Sequence, residues 1–319
     1  MNVATEQNSR FRKLDRDPRS AMSISKSLKF VSLRIHERRI AAFMVLCFIQ
    51  YCLQTCIAAP FAYITNQGED SVSVIDLANN QVTNKITVGE DPAGVAIAHD
   101  GTKIFVTNPS GESVSVISSA SNKVIKTIEL PGAPLGITAS PLREEIYVAD
   151  WDNARVAVID SETFRVTGEL PTGKTPAGLD VSADGTRLFV ANRDDNSVSV
   201  LDLDKREAIA TVAVGKAPFG ITLSNDDSFL FSANVQSGDI SIIDARTLSV
   251  VTHVKVGEFP YAIVHDPKSD NLFITNQKES TVSVVHFPSR RELKKILVGD
   301  YPEGISILSS QSKVYVANW

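Results

Sequence analysis

Cysteine is nearly absent, and all three copies, Cys47, Cys52 and Cys56, fall in one apolar run. Nothing after Cys56 can form a disulfide, hold a structural zinc through thiolates, attach a heme through a Cys-x-x-Cys-His motif or act as a thiol nucleophile. Histidine is almost as scarce. In the body of the chain His99, His253, His265 and His286 fall in different registers, whereas a zinc site needs three or four ligands converging at about 2 Å. There is no Ser-His-Asp order, no Gly-rich phosphate loop and no dinucleotide fingerprint. The sequence therefore names no catalytic residue, no metal ligand and no cofactor. Positive charge is also short: from Pro60 onward 22 Lys and Arg face 33 Asp and Glu, a net charge of −11. That balance argues against a general nucleic-acid binder, which needs a basic stripe to displace phosphate counterions, and leaves room only for a local basic patch. Helical periodicity is missing too, in every window of about eleven residues or more.

The N-terminal stretch is of another kind. Met1–Ala59 holds ten Lys and Arg against four Asp and Glu. Within it Ile40–Ala59 carries no charge, follows Arg34, Arg38 and Arg39, and ends on the small residues Ala58 and Ala59. A basic flank, an apolar run and small residues are the parts of a secretory signal, the cations staying inside while the apolar segment enters the translocon. A start at Met22 would give that signal an ordinary length. The run is also long enough to span a bilayer as a retained anchor, although Gln50 and Gln54 weaken it. The expectation is a basic segment plus signal peptide or membrane anchor over residues 1–59. The working domain, residues 60–319, would then be periplasmic or secreted, or held by residues 40–59, touching a membrane only through the N-terminal segment.

What the body has is a repeat. Ala62-Tyr63-Ile64-Thr65-Asn66 returns as Ile104-Phe105-Val106-Thr107-Asn108, Ile146-Tyr147-Val148-Ala149-Asp150 and Leu188-Phe189-Val190-Ala191-Asn192. It comes again ending at Asn234, Asn276 and Asn318, so every interval is 42 residues without an insertion. Each unit contains four short β-type segments. In the fourth unit these are Leu188–Asn192, the alternating Ser197–Asp202, Ala208–Val214 and Phe219–Ser224, separated by the turn clusters Asp194-Asp195-Asn196 and Gly215-Lys216-Ala217-Pro218. Four strands per unit of this length is the pattern of a propeller blade. A blade cannot bury both its faces alone; stacking blades about an axis removes that apolar surface from water at roughly 25 cal/mol per Å². Pro recurs at 92, 134, 176, 218, 260 and 302, just before the fourth segment, where no ladder hydrogen bond is lost. Gly follows two residues later in every unit except at Ala262, which marks this segment as the innermost strand, where backbones converge.

Units such as Phe189-Val190-Ala191-Asn192, Ser197-Val198-Ser199-Val200-Leu201-Asp202, Thr211-Val212-Ala213-Val214-Gly215 and Pro218-Phe219-Gly220-Ile221 resemble the YVTN family of β-propeller repeats, over Phe61–Trp319, about four-fifths of the chain. The resemblance implies an all-β propeller of four-stranded blades in a protein exported from the cytoplasm. It also brings in relatives among lactonases, streptogramin lyases and subunits of quinone-linked dehydrogenases. Members usually run seven blades, so the preferred closure is a seven-bladed ring with an incomplete blade at the seam. The alternative is six closed blades plus one extra strand. In that closure Glu303–Leu308 would pair beside the first YVTN strand and leave Val314–Asn318 surplus.

In a propeller, binding concentrates at the channel mouth. The residue after each repeat Pro varies: Ala93, Leu135, Ala177, Phe219, Tyr261 and Glu303. Adjacent positions add Lys216, Phe259 and Tyr301. Aromatic side chains with few charges suit a peptide or small apolar ligand. Both tryptophans, Trp151 and Trp319, share the register after the YVTN Asn and are candidates to dock a partner. Asp180 and His265 are weaker polar channel candidates, to be satisfied locally or to face water. Three functions stay open. The first is a non-catalytic scaffold binding an unidentified protein or small ligand. The second is a hydrolase or lyase of lactonase type, and the third an accessory subunit of a periplasmic redox enzyme.

Overall fold

The computed structural model describes residues 61–319. The expectations of a signal peptide, an anchor and a boundary after residue 59 concern residues outside that range. The described chain forms seven antiparallel sheets: one of three strands, five of four and one of two. Sheet 1 holds Phe61–Asn66, Ser71–Asp76 and Gln81–Thr87. Sheet 4 is a complete blade, Pro176–Val181, Arg187–Asn192, Ser197–Asp202 and Glu207–Ala213 in hydrogen-bonded order. Sheets 2, 3, 5 and 6 are the other four-stranded blades, over residues 95–129, 134–171, 218–255 and 260–297, and sheet 7 holds Pro302–Leu308 and Lys313–Asn318. The 42-residue period thus became an all-β propeller with complete four-stranded blades and an incomplete seam. Three single-turn 3-10 helices, such as Gln277–Glu279, occupy turns where the repeat gave no strand.

At the seam the inner strand Pro302–Leu308 pairs with Lys313–Asn318, not with Phe61–Asn66. The pairing expected for the alternative closure, Glu303–Leu308 beside the first YVTN strand, is therefore not formed; six blades, one of three strands and five of four, stand with an additional two-stranded sheet. Among the described residues sheet 1 has no inner strand and sheet 7 has no outer pair. The ring is bridged there by the Tyr315 hydroxyl, which donates to Asn80 Oδ1 at 3.2 Å.

The sheets stack because the second strand is apolar on both faces and the third alternates buried aliphatic residues with buried Ser. Phe105, Tyr147, Phe189 and Phe231 occupy one register of sheets 2 to 5 and are fully buried. Burial of side chains of this size stabilises by about 1.5–3 kcal/mol each. Five apolar clusters join consecutive sheets from the first to the sixth, for example Tyr147, Val158 and Leu170 against Leu179, Leu188 and Leu201. The YVTN Asn is the polar pin of each blade. Asn192 is fully buried; its amide donates to Ser197 Oγ at 3.0 Å and Ser199 Oγ at 2.9 Å, and its oxygen accepts the Gly173 N–H at 3.1 Å. In sheet 3 Asp150 stands at this register and takes Arg155 as its partner at 2.9 Å.

Candidate functional site at the channel mouth

The inner strands build the site through a repeated irregularity. In sheets 3 to 7 the ladder pairs the repeat Pro with the YVTN Asn or Asp, then slips before pairing resumes three residues later. A bulge of this kind frees two residues from the ladder and re-aims their side chains. Those freed residues are Leu135 and Gly136, Ala177 and Gly178, Phe219 and Gly220, Tyr261 and Ala262, Glu303 and Gly304, and all ten line one cavity of about 680 Å³. With Ala93 and Gly94 of sheet 2 they ring its wall, and Ala62, Ile64, Thr65, Ala317 and Trp319 extend it into the seam.

The second of each pair is small because the next inner strand approaches. A Cβ on Gly136, Gly178 or Gly220 would meet the carbonyl oxygen of Ala177, Phe219 or Tyr261 at 1.9, 2.4 and 2.5 Å. Where the YVTN strand carries Thr, its hydroxyl straps the bulge. Thr107 Oγ1 accepts the Gly94 N–H at 2.8 Å and donates to Leu135 O, in the next sheet, at 2.7 Å. Thr275 does the same with the Ala262 N–H at 3.0 Å and Glu303 O at 2.9 Å.

One arc of the cavity rim is aromatic. Phe219 stacks on Tyr261 with ring centroids 4.1 Å apart and planes 30° off parallel, and Trp151 leans on Phe219 at 6.0 Å. Trp151 reaches there across sheet 4, where Ala177 is too short to intervene, and Arg193 lies over its other side at 5.7 Å. Burial raises the Tyr261 phenol pKa, helped by the negative Glu303 and opposed by Arg193, so it stays protonated. Burial also pushes the Glu303 carboxyl above the ordinary range, while Gln277 Nε2, donating at 2.6 Å, and the Trp319 side chain pull it back.

Of the residues singled out from the sequence, Leu135, Phe219, Tyr261, Glu303 and Trp319 line the cavity, and Trp151 supports it from behind. Phe259 instead carries Lys278 on its face, Nζ 3.8 Å from the ring centroid. Tyr301 is 58% exposed and Lys216 is exposed, neither on the cavity wall. Asp180 and His265 are not brought together. Asp180 accepts the Leu223 N–H and its own neighbour's Val181 N–H, both at 2.9 Å. His265 packs against Phe231 and Phe287, its ring nitrogens without a hydrogen bond among the described residues. Gln277 and Arg193 were missed as site residues, although they share the register of the two tryptophans. Among the described residues no three His, Cys, Asp or Glu side chains converge as a metal site would require.

A family model described as "Cytochrome D1 heme domain" matches residues 151–315, just over half of the chain. The fold resembles a chain of Kuenenia stuttgartiensis hydrazine synthase, TM-score 0.70 at 18% identity, covering 81% of this chain and 92% of that one. It also resembles a functionally unknown protein from Desulfotomaculum acetoxidans, TM-score 0.66 at 18% identity, covering 76% and 82%. At that identity the likeness is one of fold. A Mycobacterium tuberculosis protein, PE-PGRS family protein PE_PGRS18, is 56% identical over 36 residues, which is 11% of this chain and 8% of that protein.

The cavity residues do not fit a heme. A heme iron takes an axial His, Cys, Met or tyrosinate, and none of the first three is among the cavity residues. Tyr261 is stacked face to face and held as the phenol. The charged residues on the wall, Glu69 and Glu303, are both acidic and would repel propionates.

Proposed function

The chain belongs to the cytochrome D1 heme domain family, and from that premise and the geometry of its channel mouth we propose a non-catalytic binding propeller that receives an apolar or aromatic group. Its repeat supports a YVTN-type propeller within that family. The uncharged run 40–59 behind Arg34, Arg38 and Arg39 supports work outside the cytoplasm. One observation carries the binding reading: five bulged inner strands turn Leu135, Ala177, Phe219, Tyr261 and Glu303 into a single cavity whose rim is a stacked aromatic pair. An offset stack of this kind extends readily to a third ring.

The neutral aromatic probe N-phenyl-1-naphthylamine should brighten on binding, and the double variant F219A/Y261A should lose about tenfold in affinity. Equal affinity in the variant would remove the mouth as the binding place. The hydrolase reading has one observation on its side, the raised Glu303 carboxyl beside Tyr261, since perturbed acids gather at reactive sites. Turnover of γ-butyrolactone or p-nitrophenyl acetate by the pure protein, abolished in E303Q, would establish that reading and overturn the scaffold.

A further inference from the structure

Among the described residues the ring of inner strands has one empty place: six sheets contribute an inner strand, and sheet 1 contributes none. Its neighbours are nevertheless shaped for one. Gly304 holds the register at which Gly136, Gly178 and Gly220 each abut the carbonyl oxygen of the next inner strand, yet a Cβ there would meet only Ala317 of its own sheet, at 3.6 Å. On the other flank Thr65 Oγ1 already donates to Ala93 O of sheet 2 at 2.9 Å. This is one half of the strap that Thr107 and Thr275 complete by accepting an amide from their own inner strand. The Thr107 N–H likewise donates to Gly94 O at 3.0 Å, whereas the Thr65 N–H has no such acceptor among the described residues. The strands around the gap are only partly covered: Phe61–Asn66 and Lys313–Asn318 contain no buried residue, while Arg187–Asn192 is buried at five of its six positions.

We propose that this empty place is a strand-addition site for an extended, basic peptide segment of a partner, a reading that rests on the binding function proposed above. The backbone half of the recognition is the free inner edge of Phe61–Asn66, since main-chain ladders give strand addition its affinity and side-chain pockets its specificity. The side-chain half is specified by the six inner strands of this chain. All six place Pro first, a Gly or Ala two residues on, and a branched aliphatic or Leu after that: Val95, Ile137, Leu179, Ile221, Ile263 and Ile305. The residue after Pro, which is Glu303 in the adjacent sheet 7, would here stand beside that carboxylate. The charged residues lining the cavity are Glu69 and Glu303, both acidic, and the body carries the negative balance noted above. A Lys or Arg at this position therefore complements the wall and pairs with the half-buried Glu303.

The test uses the full chain and fluorescein-labelled Ala-Pro-Lys-Gly-Ile-Thr-Leu, the segment 217–223 with Lys in place of Phe219, acetylated and amidated. We expect saturable binding in the micromolar range. The Tyr63 and Thr65 amides should gain hydrogen-exchange protection, and no other strand should. G304V should weaken binding more than tenfold, and E303Q should weaken the Lys peptide but not the parent Phe peptide. Absence of peptide binding while N-phenyl-1-naphthylamine still enters the mouth would overturn this proposal and leave the function standing; failure of both would sink both. Protection of Tyr63 and Thr65 before any peptide is added would also overturn it. A monomer mass would then assign the place to the chain's own residues before Phe61, and a dimer mass to a second copy.

Discussion

Asp180 shows what one inner-strand carboxylate does when it has no base to serve. Its Oδ2 accepts the Leu223 N–H at 2.9 Å and lies 3.4 Å from Thr222 Oγ1, so it ties sheet 4 to the inner strand of sheet 5. Burial raises its pKa to about 6 against these hydrogen bonds, which pull the other way. Because the folded value lies above the unfolded one, near 3.9, the native state binds the extra proton between about pH 4 and 6. This contribution to stability is complete below about pH 4 and is lost as pH rises through about 6. Two units correspond to at most about 3 kcal/mol. Chemical denaturation of the parent and of D180N from pH 4 to 7 should therefore give a stability difference that shifts toward the parent as pH falls. A difference independent of pH would show that Asp180 does not titrate in this window. His265 is the opposite case. Desolvation lowers its pKa, so it sits as a neutral ring among Phe231 and Phe287. The replacement of an aliphatic residue at its register marked it from the sequence as unusual, but could not say that its neighbours are aromatic.

The inner strand is the element on which fold and site meet, and glycine decides how closely it packs. At Gly136 an added methyl would sit 1.9 Å from the Ala177 carbonyl oxygen, a backbone atom of the next inner strand. At Gly304 the same methyl meets nothing nearer than 3.6 Å. G136A should thus cost about 2–3 kcal/mol or more through overpacking, whereas G304A should stay within about 0.5 kcal/mol of the parent. Thermal or denaturant melts of the pair check the contrast, and equal losses would mean that the inner strands are not in van der Waals register. This level of structure was legible in advance. The period-two alternation and the Pro and Gly landmarks gave every strand of the fourth unit to within a residue. The residue-after-Pro register gave the cavity ring. The direction of neighbouring side chains was not legible. Phe259 and Tyr301 precede their prolines in a left-handed conformation, φ 56° and 45°, which takes them off the wall, and nothing in residue type foretold that turn.

A repeat describes each blade and is silent about the ring. The local pattern is as regular in sheets 1 and 7 as in sheet 4, and both closures satisfied it. What separates them is which edge the last inner strand meets, a long-range choice with which the Tyr315–Asn80 hydrogen bond, across 235 residues of sequence, is associated at the seam. Cooperative stability should follow the packing and not the repeat. The five apolar clusters run from the first sheet to the sixth, and on the outer strand of sheet 6 Ile296 is 40% exposed, whereas Ile128, Leu170, Val212 and Val254 at the same register of sheets 2 to 5 are buried. Local opening free energies fall where buried apolar contact is thin. Native-state hydrogen exchange should accordingly show the slowest amides in Arg187–Asn192 and Phe229–Asn234, whose positions are buried almost throughout. Exchange should be at least tenfold faster in Lys313–Asn318 and on the inner edge of Phe61–Asn66. The seam would then be the low-stability part of the ring, able to open for an added strand without unfolding the sheets that hold the aromatic rim. Uniform protection across all second strands would mean instead that the ring unfolds as one unit, with the seam as firmly closed as any other junction.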